Sequence, residues 1–385
     1  MTAASPQGGA GSKPRLIMIC HLPPPMTGAA MVSQYAVNSS RLREMFDCEV
    51  IPIQMASNVG ELGGMRLSKV WNSLAIHIRL LRLLMSRRVD AVYITVAISG
   101  FALLRDYMTA LICRAFGIRP ILHMHMNGVS ARHDRSRLYR VLYRSLFGAA
   151  EVIHLSPLLC RDVASLVRPE RLHVVANGVP DPGSAADAMA PFHENPRPPT
   201  VLFLSNMLRE KGALDLLAAS KCLHDEGHEH RLVFVGAEAD RDVVVAIREA
   251  TRTDGHRVAF TGPLYGREKD MLMGQADIFA FPSYYEHECQ PLSIIEAMAN
   301  GLAVVASRAG GIPDLLRDGV DGLLFDERDI DGLVDALRRL VSDARLRQAL
   351  AQAARRSYLK TYTVEAFEER FVDTIAQIVK ASEQA

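Results

Sequence analysis

Residues 277–301 have the sequence DIFAFPSYYEHECQPLSIIEAMANG, which contains the unit that decides the fold. The apolar run at 277–282 predicts a buried strand, the polar residues after it predict a loop, and the apolar spacing from Leu292 predicts a helix. A strand that leads into a helix is typical of parallel sheets, because parallel strands need a crossover connection. The stretch therefore predicts an α/β fold.

Further apolar runs of strand length extend this alternation over both halves of the chain. They cover residues 15–21, 90–96, 119–126, 151–156 and 172–175 in the first half, and 200–205, 231–236, 258–262, 277–282, 303–307 and 322–325 in the second. Helices are predicted between them, notably at 292–299 and 330–361. Such alternation favours parallel sheets covered on both faces. We therefore expect two doubly wound, Rossmann-like domains that face a central cleft.

A change in composition marks the border between these domains. Residues 180–199 are rich in Pro, Ala and Asp without periodicity, which is typical of a linker. The length of 385 residues suits two domains of ordinary size. We expect a disordered tail at 1–14, an N-terminal domain at 15–180, a linker at 181–199, a C-terminal domain at 200–361 and a last helix at 362–385 that packs back on the N-terminal domain.

The composition argues against several classes of protein. The 44 basic and 43 acidic residues leave a formal net charge of +1, which gives no support to a nucleic-acid binder. Six scattered cysteines without C-x-x-C spacing predict reduced thiols in a cytoplasm, not a disulfide framework or a zinc site. No apolar run reaches the roughly 18 residues of a spanning helix. These features predict a soluble, cytoplasmic protein.

One predicted helix, at residues 68–88, interleaves arginines with apolar residues. The arginines are Arg79, Arg82, Arg87 and Arg88. They form either one solvated helix face or a contact with anionic lipid. In the second case the N-terminal domain rests on the cytoplasmic face of the inner membrane.

Two glutamates stand out in the 277–301 stretch. Glu288 lies in the predicted loop, and Glu296 lies eight positions later on the predicted helix. A helix N-terminus that points into a cleft attracts a diphosphate through its free N–H groups and its dipole. Carboxylates at these two positions can accept hydrogen bonds from sugar and ribose hydroxyls. The alternative is a surface helix with solvated glutamates.

A second segment follows the strand at 200–205 and opens a helix. It runs SNMLREKG from Ser205 to Gly212, and Arg209 and Lys211 would face a diphosphate held in the cleft. The alternative is a basic helix start that meets only water. Glycines that let the backbone come close to a ligand follow other predicted strands. They are Gly28, Gly178 after Asn177, and the pair Gly310-Gly311.

Together these pieces resemble the retaining glycosyltransferases of the GT-B fold, in particular glycosyltransferase family 4. The features that carry the resemblance are Pro282-Ser283, the E-x7-E pair Glu288 and Glu296 followed by Ala-Met-Ala, Lys211-Gly212, Asn177-Gly178-Val179 and Gly310-Gly311-Ile312-Pro313. The stretch QPLSIIE at 290–296 is similar to members that build bacterial surface polysaccharides.

The resemblance implies roles for particular residues. Glu296 would hold the ribose, Glu288 the transferred sugar and Lys211 the diphosphate, and His125 would lie near the reacting carbon. The implied catalytic residues are His125, Glu288 and Lys211. The implied donor-binding residues are Gly28, Asn206, Arg209, Lys211, Glu288, Gln290, Pro291, Leu292 and Glu296, and the implied acceptor or sugar contacts are Asn177 and Gly311.

The chain departs from the family pattern at some of these positions. Asn206 occupies the place of the usual arginine, so Arg209 is the candidate replacement. Cys289 stands where the family often has glycine, which reshapes the expected sugar pocket. Glu286 is a second candidate for the first glutamate, and His123, on the same strand face as His125, is expected to be packed.

The implied reaction is the retaining, metal-independent transfer of a hexose-type sugar from a nucleotide diphosphate, with uridine diphosphate favoured, to a hydroxyl group. The acceptor would be a sugar or a lipid-linked sugar in surface polysaccharide or glycolipid synthesis, and no cofactor is expected. Two alternatives stay open: a nucleotide-sugar epimerase of similar fold and a non-catalytic membrane-surface scaffold. The histidine-rich stretch at 224–230 is an alternative metal site.

Overall fold

A computed structural model describes residues 13–53, 67–183 and 197–384. The tail expected at 1–14 and the linker expected at 181–199 lie mostly outside the described residues, so their structure stays a prediction.

The first sheet contains six parallel strands in the order β2-β1-β3-β4-β5-β6. They are β1 (Arg15–His21), β2 (Asp47–Ile53), β3 (Ala91–Val96), β4 (Pro120–Met124), β5 (Glu151–His154) and β6 (Leu172–Val174). The helices that connect or flank them are α1 (Gly28–Asn38), α2 (Ser40–Met45), α3 (Leu67–Ser86), α4 (Gly100–Ala115), α5 (Val129–Arg135), α6 (Arg137–Phe147) and α7 (Pro157–Cys160). Strands β3, β4 and β5 are buried along their whole length because helices cover both faces of the sheet.

The second sheet also contains six parallel strands, in the order β12-β11-β10-β7-β8-β9. They are β7 (Thr200–Leu204), β8 (Arg231–Val235), β9 (Val258–Phe260), β10 (Ile278–Phe281), β11 (Ala303–Ser307) and β12 (Leu323–Phe325). The helices are α8 (Ala213–Asp225), α9 (Arg241–Thr253), α10 (Gly266–Gln275), α11 (Leu292–Ala299), α12 (Ile312–Leu315), α13 (Ile330–Ser342) and α14 (Ala344–Thr361).

The last helix, α15 (Val364–Glu383), packs against the first sheet. Its buried side chains Phe367, Phe371 and Ile375 share one apolar cluster with Leu16 and Tyr93 of that sheet. Gly178 lies so close to the start of this helix that a Cβ atom there would be 2.3 Å from the carbonyl oxygen of Thr363. The C-terminal residues thereby complete the N-terminal half of the molecule.

Each sheet has one position where the strand order reverses. In the first sheet it lies between β1 and β3, and in the second between β7 and β10. Ligands of doubly wound sheets bind at such switch points, outside the carboxyl ends of the strands. The two carboxyl edges face each other, since Gly28 at the start of α1 packs against Leu292 at the start of α11. No helix in the described part of the chain is long and apolar enough to cross a membrane.

Candidate functional site

The turn after β7 places Lys211 beside the end of β10. A short 3₁₀ helix at Arg209–Lys211 ends at Gly212, whose φ of 78° is in the left-handed region that glycine tolerates. A Cβ atom on this glycine would lie 2.1 Å from the carbonyl oxygen of Pro282. Glycine therefore lets the turn pack directly against the loop that follows β10.

This packing brings Lys211 and Glu288 together at the switch point. The Nζ atom of Lys211 donates a hydrogen bond to Oε2 of Glu288 over 2.6 Å, and Ser283 Oγ donates to the same oxygen over 2.7 Å. Only 14% of the lysine side chain and 8% of the glutamate side chain are exposed. The lysine Nζ also lies 4.4 Å from the centre of the Tyr285 ring. Burial has already removed most of the water around both charges, so a polar ligand that enters here meets partly desolvated groups.

Gly310 and Gly311 hold the loop that contains Glu288. Gly310 has a φ of 51°, and a Cβ atom there would lie 2.1 Å from the carbonyl oxygen of Glu288. The N–H of Gly311 donates to the carbonyl oxygen of Cys289 over 2.9 Å. In this structure the predicted sugar contact Gly311 supports the loop through its backbone.

Glu296 lies on α11, one helical turn beyond Leu292. Its Oε1 accepts a hydrogen bond from Nζ of Lys269 over 2.7 Å, and about a fifth of each side chain is exposed. Burial raises the pKa of Glu296 above its ordinary value, and the Lys269 charge opposes that rise. Lys269 belongs to α10 and was not anticipated, because no motif surrounds it in the sequence.

Two other predicted donor-binding residues, Arg209 and Asn206, do not belong to these two ion pairs. Arg209 forms an ion pair with Asp242 of α9, and its N–H donates to Oδ2 of Asp240 over 2.7 Å. Asn206 is exposed. Of the two candidate glutamates in the loop, Glu286 is exposed and Glu288 is buried, which favours Glu288 as the one that meets a ligand in the cleft.

Asn177 and Gln290 join the two domains. The backbone N–H of Asn177 donates to Oε1 of Gln290 over 2.7 Å, and its side-chain Nδ2 donates to the carbonyl oxygen of Gln290 over 3.2 Å. Both residues are buried. The structure therefore brings a predicted acceptor contact and a predicted donor contact onto each other. Pro291 follows directly as the residue before α11 and caps its start.

His287 makes a second connection between the domains. Its Nδ1 donates to the carbonyl oxygen of Asn127 over 2.8 Å, and its Nε2 accepts from Nη2 of Arg132 over 3.0 Å. One nitrogen donates and the other accepts, so the ring is neutral in this arrangement. We call this contact the His287 clasp. No local motif indicates this contact, because its three members come from separate segments.

The carboxyl edge of the first sheet carries four histidines, namely His21, His123, His125 and His154. Burial is the main cause that lowers the pKa of His125 to about 3, and burial also lowers the pKa values of His21 and His154 to about 4. The rings of His123 and His125 are 4.2 Å apart, and His123 is fixed by the Tyr93 hydroxyl over 2.7 Å. These imidazoles are neutral at pH 7.

His125 differs from His123 in exposure. His123 is fully buried, whereas His125 is partly exposed toward the cleft edge of β4. Among the described residues, its Nε2 has no hydrogen-bond partner. This nitrogen is itself buried, so a sugar hydroxyl can reach it only if the neighbouring side chains move.

Two histidines of the stretch at 224–230 contact each other, and one of them also contacts α8. His224 and His230 stack at 4.0 Å, and His230 bonds to Ser220 Oγ over 2.8 Å. Within residues 13–53, 67–183 and 197–384, no group of three or more His, Cys, Asp or Glu side chains is arranged to hold a metal ion.

Comparison with known proteins finds a sequence-family model that matches part of the C-terminal half. Residues 186–357 match the model of the glycosyl transferases group 1. The sulfoquinovosyl transferase SQD2 of Arabidopsis thaliana is 35% identical over 163 residues, which are 42% of this chain and 30% of that protein. The alpha-maltose-1-phosphate synthase of Mycobacterium tuberculosis is 27% identical over 257 residues, which are 61% of this chain and 65% of that protein. The chain thus spans less than two thirds of the length of either relative.

Solved structures extend the likeness to the whole fold. Anabaena HepE in complex with UDP has a TM-score of 0.72 at 17% identity, covering 94% of this chain and 100% of that one. Sucrose-phosphate synthase from Thermosynechococcus elongatus has a TM-score of 0.71 at 18% identity, covering 96% and 100%. The two parallel-sheet domains that face a cleft are the GT-B fold, and the predicted fold class is confirmed.

Proposed function

We propose that this protein is a retaining, metal-independent glycosyltransferase that moves a hexose-type sugar from a nucleotide diphosphate to a hydroxyl group. The GT-B fold and the match of residues 186–357 to the group 1 glycosyl transferases support the reaction class. The observation that carries the proposal is the buried Lys211–Glu288 pair at the switch point of the second sheet.

The charge of the leaving group decides how this pair works. When the bond between the sugar carbon and the diphosphate breaks, negative charge grows on the leaving phosphate, and preorganised cations and N–H groups stabilise it. We assign that task to Lys211 and the first N–H groups of α11. An incoming diphosphate competes with Glu288 for Lys211, so it frees the carboxylate to accept hydrogen bonds from the sugar hydroxyls.

The remaining residues are assigned by the roles that the resemblance implies and by their own contacts. Glu296 accepts the ribose hydroxyls, with Lys269 holding its carboxylate in position over 2.7 Å. The N-terminal contact to the sugar is assigned to His125, whose buried Nε2 has no hydrogen-bond partner among the described residues and becomes accessible only if neighbouring side chains move. Retention of configuration follows if the acceptor attacks from the face that the diphosphate leaves, assisted by a phosphate oxygen.

The donor and acceptor classes are further parts of the proposal. A uridine diphosphate sugar is favoured, because solved structures of similar fold contain UDP and UDP-glucose. The acceptor is a hydroxyl of a sugar or of a lipid-linked sugar in surface polysaccharide or glycolipid synthesis, at the cytoplasmic side of a membrane. The likeness to a sulfoquinovosyl transferase and to a phosphatidylinositol monomannoside mannosyltransferase supports a glycolipid product.

A panel of nucleotide sugars tests this proposal. The protein is incubated with each donor, with and without soluble and lipid-linked sugar acceptors, and free nucleoside diphosphate and the donor sugar are both measured. Acceptor-dependent release of the diphosphate is expected. A changed sugar still attached to its nucleotide would identify an epimerase, and no conversion with any donor would favour a scaffold.

Two neighbouring glutamates provide a matched pair of variants. Glu288→Gln removes the buried carboxylate, and turnover should fall about 100-fold to 1000-fold. Glu286→Gln changes an exposed residue of the same loop, and turnover should stay within about twofold. Equal losses in the two variants would contradict the assignment of Glu288.

A further inference from the structure

Helices α3, α4 and α6 lie side by side on one face of the first sheet. Their inner side chains, such as Leu80, Leu103 and Phe147, belong to one buried cluster. Their outer faces, in contrast, are rich in large apolar side chains that remain exposed. These are Val70, Trp71, Leu74, Ile78 and Met85 on α3, Leu104 and Met108 on α4, and Leu138 and Val141 on α6. We call this set the α3–α4–α6 surface.

The exposure of these side chains is extensive. Trp71 is 67% exposed, Leu138 66% and Val141 67%. Single exposed apolar residues are normal on proteins, but nine of them on the outer faces of three helices that contact one another in sequence, α3 with α4 and α4 with α6, are typical of an interaction site. In the described part of the C-terminal domain, the exposed large apolar residues are instead spread over separate elements.

The charge on the same helices is strongly one-sided. Residues 70–86, 100–115 and 137–147 contain a single acidic residue, Asp106, and it is buried against Arg105. The arginines in these ranges are Arg79, Arg82, Arg105, Arg114, Arg137, Arg140 and Arg144. This excess arises in a chain whose formal net charge is only +1. The carboxylates that form ion pairs beside these helices in the described residues are Glu49, which pairs with Arg79, and the exposed Asp134, which pairs with His133.

The position of the apolar residues along the helices is also informative. Each crossover helix of a parallel sheet begins near the carboxyl edge of the strands and runs back toward the amino edge. All of the exposed apolar residues except Met85 lie in the first two thirds of their helices, so they are displaced toward the end that is nearer the carboxyl edge of the sheet. The cleft itself is close to the start of α5, where Gly128 packs against His287.

We propose that the α3–α4–α6 surface docks on an anionic lipid bilayer and so places the cleft beside the membrane. Apolar side chains enter the boundary between headgroups and acyl chains, while arginines around them bind lipid phosphates. Two copies of this chain would bring like charges together if they met through this surface, so a bilayer is the better partner. The proposal locates the membrane contact that the proposed glycolipid function needs.

Trp71 allows a direct test, because it is the one tryptophan in the sequence. Vesicles of phosphatidylglycerol and phosphatidylcholine should shift its emission to the blue, and brominated acyl chains should quench it. Pure phosphatidylcholine vesicles should do neither. Binding to anionic vesicles without a change in Trp71 emission would place the contact elsewhere and overturn the proposal, as would the absence of binding at low salt.

Charge and apolar variants identify the surface. Arg137→Gln/Arg144→Gln should lower the vesicle association constant about 25-fold, at about fivefold for each arginine. Leu138→Ser/Val141→Ser should lower it at least about tenfold while the emission maximum in buffer stays constant. The matched controls on the C-terminal domain are Arg339→Gln/Arg345→Gln and Val245→Ser/Met271→Ser, which are all exposed positions and should bind as the unmodified protein does.

Two further measurements, sedimentation and turnover with a soluble acceptor, distinguish membrane docking from self-association and from a loss of catalytic activity. Sedimentation at micromolar concentration should show no self-association that depends on Leu138 and Val141, and a dimer that buries Trp71 would overturn the membrane assignment. Release of nucleoside diphosphate with a soluble acceptor should be unchanged in the surface variants. If vesicle binding is found in a protein that converts no donor, the proposed function fails while the docking surface stands.

Discussion

The two domains present different chemistry to the cleft between them. The C-terminal domain contributes charged pairs, Lys211 with Glu288 and Lys269 with Glu296. The carboxyl edge of the N-terminal sheet contributes buried imidazoles, and burial lowers the pKa of His125 to about 3. A diphosphate needs cations close to it, whereas an acceptor hydroxyl can be bound by uncharged donors and acceptors. The contrast therefore agrees with a donor side and an acceptor side, and four predictions test it.

The largest effect is expected on the charged side. Lys211→Ala removes the cation nearest Glu288, and turnover should fall about 1000-fold because the leaving phosphate loses its main electrostatic partner. Lys221→Ala, an exposed lysine on α8, is the matched control and should retain full activity. Steady-state kinetics with the preferred donor measures both. A folded Lys211→Ala protein with ordinary turnover would remove the basis for the contrast.

A smaller effect is expected on the neutral side. His125→Ala removes one hydrogen-bonding group, so turnover should fall about 10-fold to 100-fold. The loss should be the same between pH 6 and pH 8, because burial keeps the pKa of His125 at about 3, far below that range. His256→Ala, a histidine whose side chain is 76% exposed, serves as control. A bell-shaped pH profile that disappears with His125 would show that this histidine titrates during turnover.

The buried histidines also predict acid sensitivity of the N-terminal sheet. Burial is the main cause that lowers the pKa of His154 from 6.5 to about 4 in the folded protein. The unfolded chain therefore binds more protons between these values, and the stability contributed by this histidine is present above pH 6.5 and is lost as the pH falls toward 4. The loss is about 1.4 kcal/mol for each pH unit and each such histidine.

Hydrogen exchange resolves this effect by region. On going from pH 7 to pH 5, amide protection in β4 and β5 should fall after correction for intrinsic exchange rates. His154→Gln should reduce the pH dependence of that protection, whereas His256→Gln should leave it unchanged. The same dependence in wild type and His154→Gln would exclude this histidine as the cause. His230 on the C-terminal domain, with a pKa near 4 mainly because of burial, offers an internal comparison.

The smallest effect concerns the contact between the domains. His287→Ala breaks the His287 clasp, so the open form should gain population and the KM for the donor should rise about fivefold. Turnover at saturating donor should change less, since Lys211 and Glu288 remain. The exposed neighbour Glu286→Ala is the control, and small-angle scattering should show a larger radius only for His287→Ala. Equal KM values in the two variants would show that the clasp does not hold the cleft closed.

Much of the fold could be predicted from the sequence. The strand at 15–21 coincides with β1, and the helix at 292–299 coincides with α11. Both elements have a strong apolar pattern because most of their own residues are buried in the core. Strand β2 was missed, since it lies at the sheet edge, contains Pro52 and alternates exposed with buried residues instead of forming an apolar run.

The predicted single helix at 330–361 was wrong in one respect. The structure has two helices there, α13 and α14, which meet at Asp343. The Asp343 side chain accepts hydrogen bonds from the N–H groups of Arg345 and Leu346 and so starts the second helix. Apolar periodicity continued through this position and concealed the break.

Site residues could be predicted only where the residue that carries the chemistry lies inside a local sequence motif. Glu288, Glu296 and Lys211 follow strands or begin helices, so their motifs are local. Lys269 and Arg132 act through partners 27 and 155 residues away, and only the packing of separate elements brings them into place. Sequence patterns carry no record of such pairings in a single chain.

The central claim is that Lys211 binds the diphosphate of the donor at the switch point of the second sheet. Calorimetric titration with the nucleoside diphosphate released in turnover tests it most directly, using the unmodified protein, Lys211→Ala and Lys221→Ala. Lys211→Ala should bind at least about tenfold more weakly, whereas Lys221→Ala should bind normally. Unchanged affinity in a folded Lys211→Ala protein would contradict it.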